Sequence, residues 1–567
     1  MNPAVPGAGL NFFTDELLAF DFSTVDTLQL GRLADTTTVG IGGGFNATTM
    51  GNADLTFTVF AQNLILVGEP SGGVAAIPTD LRVGTLNLFT GDDSSASIRL
   101  GSAVDTKIVA DAIQIGLAPT LTTSASPPEV LIGADAPVQI TADSLRIGRT
   151  TTAPDGTISF EQSVGRTQIG QGADVTMTVD DIVIFSDSLD IGGPTQTTIQ
   201  GFHRFVAQGR AGFGEARIDA TDGSFAGNTL LDGLADSLLS LEYDAISIGS
   251  SDAGTVTADA HDINLYARAK GIFIEDTASL TAGNDFNIAL GPDGELSING
   301  TTQGDDVTFM AYFRGQNTTV GVTVGGVNAM YDQADIDAFA TADDLTITSR
   351  SVINTGAGLA GGDSDVILQF DVATPPLNLP VETQFTTVGS FGTGDILAGS
   401  AVQGIAITGQ DDIGFTTKLG GTNFFAASIS TTGGSIGVNG PALINRATNM
   451  TAAVSVGMTG PVDASPFTFD SKLELVGSLG GVFIAGPIGS TAPLSSFRAT
   501  GVPASRSPAC ARRATRSILP RSSTSAPATT SVRPAPSTAP RPARTSSTAT
   551  SPWMRERTPN SPAPSTG

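Results

Sequence analysis

The chain has 567 residues with 28 Lys and Arg against 55 Asp and Glu, a net charge of −27. That acidity excludes nucleic acid and anionic membrane surfaces as natural partners of the body. A hydrophobic content of 40% excludes an acidic disordered polymer, the single Cys510 excludes an internal disulfide framework, and no apolar run is long enough for a membrane helix.

The first 27 residues read as a cap or entry segment. Positions 15–20 (DELLAF) have the makings of one helical turn that covers the first open edge. No positive side chain precedes Arg32 and no sustained apolar core follows, so the start does not read as a secretory signal. The chain therefore reads as a piece of a longer protein, or as one whose start is misassigned.

From Leu28 the pattern changes to short alternating runs: Leu28/Leu30, Leu55/Phe57/Val59, Leu64/Leu66, Leu81/Val83 and Leu86/Leu88. Alternation places each row on one face of a strand. The clearest example is 132–148, IGADAPVQITADSLRIG, with Val138/Ile140 and then Leu145/Ile147 as its rows. Relatives of it stand at 100–116, 169–185, 248–265 and 274–291. Their shortest shared unit is Asp-x-Leu/Ile-x-Ile/Leu-Gly, at 26–31, 111–116, 143–148, 187–192 and 244–249. One such run cannot bury its apolar face alone. Stacked coils of roughly 20–25 residues can, each row lying on the next at about 4.8 Å, with glycine and Asn/Asp at the corners. An antiparallel sandwich or barrel is the alternative; the shared residue types at matching offsets favour the solenoid.

Loop excursions are expected at 116–128 and 149–156. After Gly300 the pattern loosens. Positions 329–345 are rich in Ala and Asp and read as a short helix or lateral loop, and 374–380 (TPPLNLP) should protrude, because proline lacks the ladder donor. Repeat texture returns with Ile405/Ile407, Phe424/Ala426/Ile429 and Ile436, so the solenoid region is 28–500. Positions 501–567 form a basic Ser/Pro/Arg tail whose ten arginines and one acid give +9 and leave the body near −36. This tail reads as disordered, or as an out-of-frame translation, since shifted codons across 522–531 permit the body's own strand-and-corner grammar.

Catalytic and metal chemistry is sparse. His203 and His261 are the only histidines and read as structural or solvated, and a His/Cys metal site lacks ligands. Acidic pairs abound at Asp92/Asp93, Asp180/Asp181, Asp305/Asp306, Asp343/Asp344 and Asp411/Asp412. Neighbours in a strand face opposite ways, so these read as corners, with calcium binding open but unassigned. The run from Gly361 to Val366 has Ser364 and Val366 where a glycine-rich calcium nonapeptide needs Gly and Asp, so that motif is rejected. Arg146, Arg149 and Arg166 are the one modest basic cluster near acids. No catalytic, cofactor or metal residue is assigned.

The segments ITADSLRIG (140–148), VTADAHDINLYA (256–267) and SLTAGNDFNIAL (279–290) resemble the haemagglutinin-type repeats of filamentous-haemagglutinin-like exoproteins and autotransporter passengers. The resemblance covers 28–290 well and 405–440 more loosely. It implies an all-β, right-handed parallel β-helix, exported to the bacterial cell surface and non-enzymatic. Such a stalk binds surface or matrix glycans and proteins, or itself, through its lateral face or loops. No secretion module or C-terminal barrel is recognisable, which leaves the export route unassigned. A solenoid polysaccharide lyase or hydrolase, and a calcium-dependent matrix protein, are the alternatives.

Overall fold

The computed structural model describes residues 8–13, 22–69, 77–92, 95–121, 127–154, 158–212, 214–218, 227–250, 254–291, 294–311, 329–331, 333–348, 351–354, 366–369, 376–387, 395–399, 404–417, 420–466 and 470–501. The expectations for 15–20, for the nonapeptide-like glycines and for the tail from Val502 lie outside these residues. The chain divides into two units, Met1–Thr151 with Ser159–Ala504 and Thr152–Ile158 with Ser505–Gly567. All that follows concerns the first.

That unit is all-β with parallel pairing, and its strands recur on three faces. One face runs Thr27–Leu30, Thr56–Ala61 and Thr85–Thr90, then continues into the second half of Thr106–Leu117. A second runs Ala8–Phe13, Thr36–Gly42, Leu64–Val67 and Ser97–Leu100. The third runs Gly44–Asn46, Thr79–Arg82 and the first half of Thr106–Leu117. Each coil contributes one rung to each face, and both backbone edges of an inner strand are satisfied by the coils before and after it.

Alternation then builds the core. Phe57, Leu86, Ile113, Leu145, Ile182 and Phe205 stack on successive rungs, each 1% exposed or less. Val138, Ile140 and Ile147 are equally buried, as expected. The five motif glycines Gly31, Gly116, Gly148, Gly192 and Gly249 all have positive φ. At Gly148 (φ +82°) a Cβ would stand 2.4 Å from the Phe185 carbonyl oxygen, so the corner needs glycine for both conformation and space.

Several expectations are corrected. Leu64 and Leu66 face outward and Ile65 and Val67 fill the core, because a run of four apolar residues leaves alternation undecided and a one-residue slip exchanges the faces. Phe425, not Phe424, is buried, for the same reason. The expected loop at 149–156 begins with a short strand, Arg149–Thr152, that lies outside the large sheet. Coils are also uneven: Ile436 lies beside Val456, but Phe309 lies beside Ile347.

The proline segment gives the most informative correction. Leu377–Leu379 does not protrude; it is a buried strand beside Ile405–Gly409 and starts a six-stranded sheet. Pro376 and Pro380 flank it, so the missing donors fall outside the paired residues. Among the described residues the third face of the large sheet ends at Thr301–Gln303, and between the two stands the short helix Gln333–Asp337, in the region expected to hold one. Thr302 Oγ1 donates to the Ala338 carbonyl (3.2 Å). On the other side Gln333 Nε2 donates to the Asn378 carbonyl (2.8 Å), and its Oε1 accepts from the Asn378 N–H (2.9 Å). The amide thus stands in for a neighbouring strand and closes an edge that would otherwise be open. Ile336 and Phe339 anchor the helix, Phe339 lying 5.1 Å from the Phe286 ring.

Leu145→Ala is expected to cost about 2–5 kcal/mol and Gly148→Val more than 1 kcal/mol, while the exposed Gln139→Ala stays within about 0.5 kcal/mol. Urea unfolding midpoints of the three variants check this order.

Candidate functional site

Parallel register turns residues far apart in sequence into columns on the outer surface. At the corner where Thr106–Leu117, Val138–Ile147 and Val175–Ile191 bend between faces, Asp111, Asp143 and Asp180 fall on consecutive rungs. They line a groove of about 540 Å³ with Asn46, Arg82, Thr141 and Thr178.

Beside it lies an ion-pair ladder. Asp181 accepts hydrogen bonds from Arg204 Nε and Nη2 (both 2.7 Å) and a short one from Arg146 Nη2. Burial opposes the Asp181 charge, but the hydrogen bonds and charges of Arg204 and Arg146 outweigh it and hold the carboxyl below its usual range. The neighbouring Asp180 bonds to His203 Nδ1, and Asp236 lies 3.5 Å from Nε2. The Asp180 hydrogen bond, helped by both carboxylate charges, raises the His203 pKa above its ordinary value although the ring is half-exposed. His203 is thus a solvated member of the charge ladder. His261 donates its backbone N–H to Ser237 Oγ (3.2 Å).

The three arginines singled out by sequence do not share a carboxylate. Arg146 pairs with Asp181, Arg149 with Glu161 (2.8 Å) and Arg166 with Asp190 (2.7 Å). A more buried cluster escaped notice. Arg268 donates from Nε to Asp244 (3.1 Å) and from Nη1 to the Gly209 carbonyl (2.7 Å), with Glu242 3.7 Å away. Charged residues in a strand read as exposed in sequence, but these lie buried where the register shifts between Tyr243 and Ala245.

Farther along, the character changes. Asp262, Asp285, Asp306, Asp344, Glu382 and Asp412 fall on six consecutive rungs of one face. Each precedes an alternating run (Asp-Ile-Asn-Leu, Asp-Phe-Asn-Ile, Asp-Val-Thr-Phe), a signal that aligning runs on their first apolar residue would have exposed. Of each pair Asp305/Asp306, Asp343/Asp344 and Asp411/Asp412, one member joins the column. Burial first, and then the charges of rung neighbours, raise the pKa of Asp285, Asp344 and Glu382. Among the described residues no group of three or more His, Cys, Asp or Glu side chains is placed to hold a metal ion, and no helix is long and apolar enough to cross a membrane. No family model, curated protein or solved structure matches the chain.

Two outcomes follow from these columns. The His203 ring should titrate above 6.5 by NMR, and Asp180→Asn should move it back toward that value. Asp344 has a folded pKa above its unfolded one, so the folded state binds its proton more tightly and stability falls as pH rises through that range. Asp344→Asn should therefore raise the thermal midpoint at pH 7. The gain should shrink in high salt and vanish near pH 3, where the native carboxyl is already neutral.

Proposed function

We propose that this chain is a structural and adhesive stalk segment of a large exported bacterial surface protein. It winds as a right-handed parallel β-helix of the kind found in filamentous-haemagglutinin-like exoproteins and autotransporter passengers. What supports this reading is the parallel pairing of successive coils, carried by the large sheet from Ala8–Phe13 to Gly481–Ile484 and by the six-stranded sheet from Leu377–Leu379 to Ser496–Gly501. Such a body keeps its outer columns available for contact, while its inner columns are mostly apolar packing residues. The runner-up, a polysaccharide lyase or hydrolase, draws on the groove at Asp111, Asp143 and Asp180. It is less favoured because Arg146 and Arg204 are engaged with Asp181 beside that groove.

Latex beads coated with the full chain should adhere to epithelial monolayers or to one another well above albumin-coated beads. The same protein should release no unsaturated or reducing-end product from polygalacturonate or alginate. Product release would overturn the non-enzymatic reading, absence of adhesion the adhesive one, and clumping only with added calcium would favour a matrix role. A crystal structure with left-handed coils would remove the proposed handedness.

A further inference from the structure

Both registers around His203 skip. Between Thr197–Gln208 and Asn228–Ile248, Phe202 lies beside Gly233 and Arg204 beside Leu238, so a step of two residues faces a step of five. Toward the following coil, pairing stops at Asp232 with Asp259 and resumes at Leu238 with Asp262. Among the described residues, Leu234 to Ser237 therefore belong to neither ladder and form a lateral bulge. Its tip is open to solvent: Leu234 is 40% exposed and the Asp236 side chain 76%. Its base is packed. Ser237 is buried, its Oγ accepts the His261 N–H (3.2 Å), and a Cβ on Gly233 would stand 2.2 Å from that Oγ.

The tip is held from the coil before. His203 Nδ1 bonds to Asp180, one coil earlier still, and Nε2 faces Asp236 at 3.5 Å. The ring thus spans three coils with a carboxylate at each nitrogen. Those two carboxylates are the charged groups that act on it; the adjacent Arg204 is turned to Asp181. An imidazolium has an N–H at each nitrogen and serves both carboxylates. A neutral imidazole has one N–H and one lone pair, so it serves one carboxylate and repels the other. The direct bond to Asp180 keeps the remaining proton on Nδ1 and leaves the Nε2 lone pair against Asp236.

We propose that His203 is a pH-operated clasp on this bulge: as imidazolium it ties Asp236 to the coil before, and on losing a proton it lets the tip go. The clasp goes beyond the adhesive reading and does not depend on it. It makes the Leu234 tip a projection that is pinned in acid and free in alkali. Because the Asp180 hydrogen bond raises the His203 pKa above 6.5, the tie is complete below that value and is lost as pH rises through the folded pKa. Groups this exposed contribute little to global stability, so the effect is local.

A nitroxide label at the tip reads the clasp, because the motion of the label has no titration of its own. It is attached to Ala235→Cys in the full chain carrying Cys510→Ser, Cys510 being the only cysteine. From about pH 5 to about pH 9 the electron paramagnetic resonance spectrum should gain a fast component, the ratio of slow to fast falling about threefold. The midpoint should match the His203 titration followed by NMR, and Asp180→Asn should move it to lower pH. His203→Gln and Asp236→Asn should each abolish the transition with unchanged thermal midpoints. A flat profile, a slow component that grows with pH, a midpoint indifferent to Asp180→Asn, or a transition that survives His203→Gln or Asp236→Asn would overturn the clasp.

Discussion

Every inner strand on the three faces depends on two others, one coil earlier and one coil later, for its backbone hydrogen bonds and for cover over its apolar row. Among the described residues no pair of strands closed by a tight turn relieves that dependence, because the main ladder there pairs in parallel. The unit therefore gains stability by adding rungs, and its weak points are the places where a face loses one. At the end of Thr301–Gln303 the third face has no next strand among the described residues, and the chain answers with the helix at Gln333–Asp337, whose glutamine amide takes up the edge of Leu377–Leu379. A hydrogen-bond donor and acceptor on one side chain replace a strand's own N–H and C=O, and Phe339 replaces the missing core residue.

The same register governs the surface. Rungs about 4.8 Å apart make each outer position a neighbour of its equivalents, so charges are sorted into columns. Between Arg146 and Arg268 the ion pairs at Asp181, Asp190 and Asp244 are strung between coils. From Asp262 to Asp412 one column holds carboxylates alone, and burial together with the charges of neighbouring carboxylates raises the proton affinity of Asp285, Asp344 and Glu382. One scaffold thus presents a cross-linked charged flank and a self-repelling acidic one. A groove lined by Leu64 and Leu66 adds a third kind of surface, in which apolar and polar groups face outward together.

The sequence by itself determined the rungs. Strict alternation at Val138/Ile140 and Leu145/Ile147 gave the buried rows, and the recurring corner glycine was needed wherever the backbone turned left-handed, as at Gly148. Both are local requirements of a single residue's conformation or of neighbours two apart, so they are written in the local pattern. The tertiary structure alone decided which coil lies on which, because coil lengths vary and pairing partners are set by distant residues. That decision aligned Asp306 with Asp344, set His203 between Asp180 and Asp236, and turned Leu64 outward where four apolar residues in a row left the face undetermined. It also buried Leu377 between prolines, since a proline's missing donor matters only where a neighbouring strand would have used it.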